Sequence, residues 1–123
     1  FEMMKEAGIK CEMLYGNDSL KRRTEVKEML INNEINVILA STIYDLGVDI
    51  PKLNALVLCG AGISALRCTQ RVGRVIRSYP NKKHAAIVEF YDQVKFLKKH
   101  SMTRCKVYLS EIGFKVIKCK EMK

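Results

Sequence analysis

Short apolar runs alternate with amphipathic stretches along the whole chain, regularly enough to be written out as elements. Glu2–Ala7 followed by Gly8 has the form of the last turns of a helix with a glycine stop. Lys10–Tyr15 predicts a short strand ending at Gly16. Ser19 closes an Asn-Asp-Ser cap, and a helix then runs to about Asn32, with Leu20, Val26, Met29 and Leu30 facing inward and Lys21, Arg22, Arg23 and Lys27 facing out. Asn36–Ala40 and Leu53–Cys59 are nearly all apolar, which predicts buried strands of a parallel sheet with helices above and below. Ile63–Arg77 reads as loop and helix, and Tyr79-Pro80-Asn81 as a turn carrying Lys82 and Lys83. His84–Phe90 is a fourth strand. A helix from Asp92 to about Ser110 follows, with Phe96, Leu97, Cys105, Tyr108 and Leu109 on its apolar side and Lys95, Lys98, Lys99, Arg104 and Lys106 on its charged side. Gly113 stops it, and Phe114–Cys119 predicts a short edge strand. Strand and helix in alternation give an α/β domain with a mostly parallel sheet.

One segment stands apart chemically. Gln70-Arg71-Val72-Gly73-Arg74-Val75-Ile76-Arg77 places Gln70, Arg74 and Arg77 at i, i+4 and i+7, on one helical face, while Arg71 points elsewhere. Val72, Val75 and Ile76 predict burial of the other side, so the guanidiniums sit on the rim of a packed helix. Planar forks held in that way suit a phosphate chain better than water. A second block, Ser41-Thr42-Ile43-Tyr44-Asp45-Leu46-Gly47-Val48-Asp49-Ile50-Pro51, starts at the end of an apolar strand, where α/β domains place ligand chemistry.

Gln-x-x-Gly-Arg-x-x-Arg resembles motif VI of the superfamily 2 helicases, and Ser-Thr-x-x-x-x-Gly-x-Asp-x-Pro resembles their motif V. The two occur in the order of that family, with a strand-like run between them, and the resemblance covers roughly Cys11 to Asp92. It implies a RecA-like (P-loop NTPase-like) three-layer α/β/α domain, the second of the two in such an enzyme. A further strand, with motif IV, is expected ahead of Phe1, and residues 93–123 are expected to form a C-terminal helix and tail. The resemblance makes Arg74 and Arg77 arginine fingers for ATP, with Gln70 orienting the phosphate or the attacking water. It gives Gly47 and Asp49 to the nucleotide, and Ser41 and Thr42 to a nucleic-acid phosphate. Tyr15, Gly16, Arg22 and Arg23 match a segment that meets the nucleic-acid backbone in such helicases. Gln at the head of motif VI resembles the translocating, DEAH-like branches. Lys98-Lys99-His100-Ser101-x-x-Arg104-x-x-x-Tyr108 resembles UvsW-like phage and bacterial DNA helicases, so DNA is preferred over RNA.

Absences shape this expectation. The chain has no Gly-x-x-x-x-Gly-Lys-Ser/Thr loop and no Asp-Glu pair on a strand end, so ATP and Mg²⁺ are expected to sit on a first RecA-like domain of the same protein. By itself the chain is not expected to hydrolyse ATP. It begins with Phe rather than Met, which predicts a piece of a longer protein. No apolar run reaches the roughly 20 residues of a membrane span, so no membrane partner is expected. The five cysteines show no Cys-x-x-Cys pair, which predicts reduced thiols, no metal site and a cytoplasmic setting, the host's cytoplasm if the gene is a phage's. Net charge is +9, and residues 1–61 carry −2 against +11 for residues 62–123, which points to a polyanion.

Two other readings fit parts of the sequence. Gly60-Ala61-Gly62-Ile63-Ser64-Ala65 satisfies the dinucleotide-binding pattern Gly-x-Gly-x-x-Ala, as in the Rossmann domain of an oxidoreductase, but no acidic residue ends a strand about 20 positions on. The other is a non-catalytic nucleic-acid-binding module.

Overall fold

The computed structural model describes residues 1–41, 50–59, 64–91, 93–117 and 119. Its elements run α1 (Glu2–Glu6), β1 (Cys11–Leu14), α2 (Leu20–Ile31), β2 (Val37–Ala40), β3 (Ala55–Leu58), α3 (Ala65–Val75), β4 (Ala86–Glu89) and α4 (Lys95–Ser110). All four anticipated strands form, and both pairings are parallel. β1 pairs with β2, aligning Leu14 with Ala40, and β3 pairs with β4, aligning Leu58 with Glu89. Among the described residues the strands make two two-stranded sheets rather than one.

The first sheet holds the core. Leu14, Val26, Leu30, Ile35 and Ile50 are buried together, with Met29, Ile38 and Leu53 packed against them. Val26 and Leu30 lie one turn apart on α2, so that helix lays its stripe on β1 and β2. Ser19 caps its start, accepting from the Arg22 amide at 3.2 Å. Its other end is closed by Lys52, whose ammonium donates to the carbonyls of Leu30 (3.2 Å) and Ile31 (2.6 Å) and to Asn33 Oδ1 (2.7 Å). A cation at the negative end of a helix is favourable.

On β3 and β4 the exposed positions alternate: Val57 and Val88 are exposed and aligned, while Leu58 is buried and Glu89 half-buried on the opposite face. β3 is therefore not the wholly buried strand its apolar run suggests. The covered face meets α3 and α4, and Glu89 decides how α4 sits. Its carboxylate receives a hydrogen bond from Arg104 Nε and one at 2.7 Å from the Tyr108 hydroxyl. Arg104 is only 2% exposed. It also donates to Ser101 Oγ at 3.3 Å, and that hydroxyl donates to the Phe90 carbonyl at 3.5 Å.

This network changes the expected polarity of α4 in part. Lys95, Lys98, Lys99 and Lys106 are exposed as expected and Tyr108 is half-buried, but Ser101 and Arg104 point in, whereas Phe96, Leu97 and Leu109 are exposed. A buried guanidinium needs its counter-charge more than a helix needs its leucines covered. The helix starts at Lys95, three residues after the expected Asp92, which lies outside the described residues. Gly113 does follow the helix in the left-handed region, at φ +88°. The expected edge strand at Phe114–Cys119 is not formed among its described residues, where no neighbouring strand pairs with it. No described helix is long and apolar enough to cross a membrane.

Candidate functional site

The arginine helix is built as its periodicity dictates. Ser64 caps α3 by accepting from the Arg67 amide at 3.3 Å. Cys68, Val72 and Val75, at i, i+4 and i+7, are all buried and seat the helix. Gln70 and Arg77 are exposed, and Arg74 is half-buried on the flank. Arg71 lies on the other side, near enough to Cys68 to act on its thiol. Arg71, Arg74 and Arg77 each make an interaction within the chain. The helix ends at Val75, two residues earlier than expected, so Arg77 is carried on the chain just past the end. Ile76, the residue at the C-cap, is half-exposed rather than buried.

Cys68 locks the start of α3 to the Glu89 network. Its sulfur lies 2.8 Å from the Tyr108 oxygen. Tyr108 has a single proton, which goes to Glu89, so the thiol is the donor to Tyr108. Burial pushes the Cys68 thiol above its ordinary pKa. Burial, helped by the hydrogen bonds to Cys68 and Glu89, raises the Tyr108 hydroxyl well above its own. Both groups are held protonated, as structural members of the network.

Gly73 makes no close contact among the described residues: a Cβ built there would meet none of them within 4 Å. The residue opens on a shallow groove bordered by Thr69 and Ile76 on one side and Val107, Glu111 and Phe114 on the other. Gly73→Ala should therefore stabilise the isolated chain by about 1 kcal/mol through helix propensity, seen as a higher urea midpoint. A lower midpoint would mean that the space is needed.

The proposed nucleic-acid residues gather at the ends of the first sheet. Parallel pairing of Leu14 with Ala40 puts Tyr15 and Ser41 side by side, just past the C-terminal ends of β1 and β2, and the Ser41 amide donates to the Leu14 carbonyl at 3.3 Å. Tyr15 is half-exposed, and its amide is held by Asp18 Oδ2 at 2.6 Å. Gly16 has open space at its Cβ position, and its carbonyl accepts from Arg23 at 2.9 Å.

Two side chains depart from expectation here. Arg22 and Arg23 do not face out but turn toward this loop and β1. Arg22 pairs with Glu12 at 2.5 Å and Glu25 at 3.3 Å. Leu20, expected inside, is 79% exposed because it occupies the first position of the helix. Thr42, Gly47 and Asp49 lie outside the described residues, as do Gly60–Ile63 of the dinucleotide-like pattern. The block's end is firmly placed: Ile50 is 1% exposed in the core.

Sequence reading passed over Lys82. Its ammonium donates to three carbonyls: Pro51 at 3.1 Å, Arg77 at 2.9 Å and Val75. Pro51 and Lys82 stand just ahead of β3 and β4, so α3 returns its C-terminus, with Arg74 and Arg77, to the end of that sheet where both strands begin. Lysine after a turn is ordinarily a solvated residue, and nothing in its neighbours' identities marks it as a cap.

Comparison with known proteins gives a consistent result. Residues 1–79 match the family model described as the helicase conserved C-terminal domain. A Sulfolobus islandicus filamentous virus protein described as a helicase is 35% identical over 98 residues, covering 79% of this chain and 18% of the relative. The ATP-dependent helicase Lhr-Core of Methanocaldococcus jannaschii is 35% identical over 88 residues, 71% of this chain and 10% of its own. The chain thus spans less than a fifth of either relative. Among solved structures, the C-terminal part of the Fun30 ATPase domain superposes with a TM-score of 0.69 at 14% identity, covering 84% of this chain and 33% of that one, a likeness of fold.

Proposed function

The chain belongs to the family of helicase conserved C-terminal domains, the second RecA-like domain of superfamily 2 helicases, and from that premise we propose that it completes the nucleotide site of an ATP-dependent DNA helicase or translocase. The observation that carries this reading is α3. Its packed stripe of Cys68, Val72 and Val75 leaves Gln70 and Arg74 on the opposite flank of a helix fixed at both ends, with Arg77 exposed on the chain just past its end.

ATP with Mg²⁺, held by a first RecA-like domain of the same protein, supplies the phosphoryl group whose hydrolysis drives movement. Arg74 and Arg77 neutralise charge developing on that group, a task for a planar, permanently charged fork. Gln70 orients the phosphate or the attacking water. Gly47 and Asp49 meet the nucleotide. Tyr15, Gly16, Ser41 and Thr42 grip the nucleic-acid backbone, with Arg23 bracing the Gly16 loop. Arg22 is left out of this grip, since two carboxylates already take its guanidinium. One block, Ser41–Pro51, then touches both ligands, so closure on nucleotide shifts the hold on the strand.

DNA is proposed over RNA because Gln70 stands where the local RNA-melting branch has His. Fluorescence anisotropy with labelled single-stranded DNA tests the nucleic-acid part. Affinity should fall steadily as salt rises, through counterion release, and RNA of the same sequence should bind more weakly. Salt-independent binding contradicts the electrostatic grip, and tighter RNA binding overturns the choice of DNA.

A further inference from the structure

Lys82 joins two segments that are distant in sequence and close in the proposed mechanism. Pro51 ends the Ser41–Pro51 block, and Val75 and Arg77 end the arginine helix; a single ammonium holds all three carbonyls. An ammonium has three protons, so these acceptors use its whole donor capacity. The last carbonyls of a helix are the negative end of its dipole and lack N–H donors within the helix, so a cation there has a specific site to fill.

The chain is also shaped to deliver the side chain. Tyr79-Pro80-Asn81-Lys82 is a tight turn closed by the Lys82 amide on the Tyr79 carbonyl at 3.0 Å, with Asn81 at φ +66°. Pro at the second position and Asn in the left-handed region at the third suit that reversal. It brings Lys82 back beside the helix end the chain has just left. Adjacent Lys83 is exposed, whereas Lys82 is half-buried. Burial lowers the Lys82 ammonium below its ordinary pKa, as for a charge withdrawn from water.

We propose that Lys82 is a positioning residue that clamps the C-terminal end of the arginine helix to Pro51, just ahead of β3, so that Arg77 is held in place against the body of the domain. The proposal rests on the functional reading above. It makes Lys82 the residue that sets the placement of Arg77, although Lys82 itself touches neither ligand.

The test compares Lys82→Met, Lys82→Arg and Arg77→Ala in the complete protein, by steady-state ATP turnover at saturating DNA. Met keeps the length and removes the donors; Arg keeps donors. Lys82→Met should lower DNA-stimulated kcat by roughly 10- to 100-fold, the scale of a misplacement of about 1 Å, while KM for ATP and the Kd for DNA change less than about two-fold. Lys82→Arg should recover most of the loss. A Lys82→Met enzyme with wild-type stimulated kcat, beside an inactive Arg77→Ala enzyme, overturns the clamp and leaves the finger reading standing. An active Arg77→Ala enzyme overturns the finger reading itself, and with it the proposed link. The wild-type protein gives a check that needs no variant to fold. Brief acylation with a lysine-selective ester, read by peptide mass spectrometry, should modify Lys82 at least about ten-fold more slowly than Lys83, since an ammonium engaged by three carbonyls must first break them. Equal rates would overturn the clamp.

Discussion

Arg77→Ala in the complete protein is expected to reduce ATP turnover by about 10³–10⁵-fold, the range that arginine fingers contribute in related phosphoryl-transfer systems. ATP affinity should stay near that of the wild type, because the groups that hold the base, ribose and phosphates are assigned mainly to the other domain and to Gly47 and Asp49. Substituting an exposed residue past a helix end should leave the fold intact, so lost activity cannot be ascribed to unfolding. Arg77→Lys should recover little, since a point charge lacks the planar fork. Arg74→Ala should fall in the same direction. Separate measurement of kcat and of nucleotide Kd checks the claim: normal turnover removes the finger role, and loss of binding with normal kcat reassigns it to holding substrate.

The second large effect concerns stability. Glu89→Ala should destabilise the chain by about 3–5 kcal/mol, because it breaks a buried ion pair and takes a carboxylate away from the interior Arg104 guanidinium. Arg104 is 2% exposed and the Glu89 side chain 14%, so solvent screens the pair little. The Tyr108 hydroxyl loses its acceptor at the same time, and with it the thread from β4 to Cys68 on α3 loosens. Against a typical stability of about 5–15 kcal/mol, this is a large fraction. The double substitution Glu89→Leu with Arg104→Met should recover most of the loss, since an apolar pair of similar size often replaces a buried ion pair at little cost. Urea unfolding of the two variants decides it. A double variant no more stable than Glu89→Ala would mean that the charges themselves are needed for α4 to dock.

The elements that could be read from the residues are those whose pattern is local. Val72 and Val75, read as the inner side of the arginine helix, are both buried, although Ile76, read with them, is half-exposed at the cap. The apolar runs around Leu14, Ile38 and Leu58 each became a strand, and Ser19 caps its helix as its type and place imply. What could not be read depends on pairings between distant residues. Arg104 sits among lysines on α4, where a charged residue defaults to solvent; Glu89, on another element, draws it inward. Arg22 looks outward until Glu12, on the preceding strand, is brought beside it. Lys82 is one lysine of a basic half-chain until three carbonyls converge on it. At the site, periodicity placed Gln70 and Arg74 away from the packed stripe, but the helix stops at Val75 and leaves Arg77 beyond the face it was expected to share. The gathering of Tyr15, Gly16 and Ser41 followed only from the parallel register of β1 and β2.

The most direct measurement is a structure of the complete protein with DNA, ADP, Mg²⁺ and a fluoroaluminate mimic of the transferring phosphoryl group. The Arg74 and Arg77 guanidiniums should lie about 3 Å from the mimic's fluorines, at hydrogen-bond distance. Both side chains turned away from a fully occupied, closed nucleotide site would contradict the claim that this helix completes it.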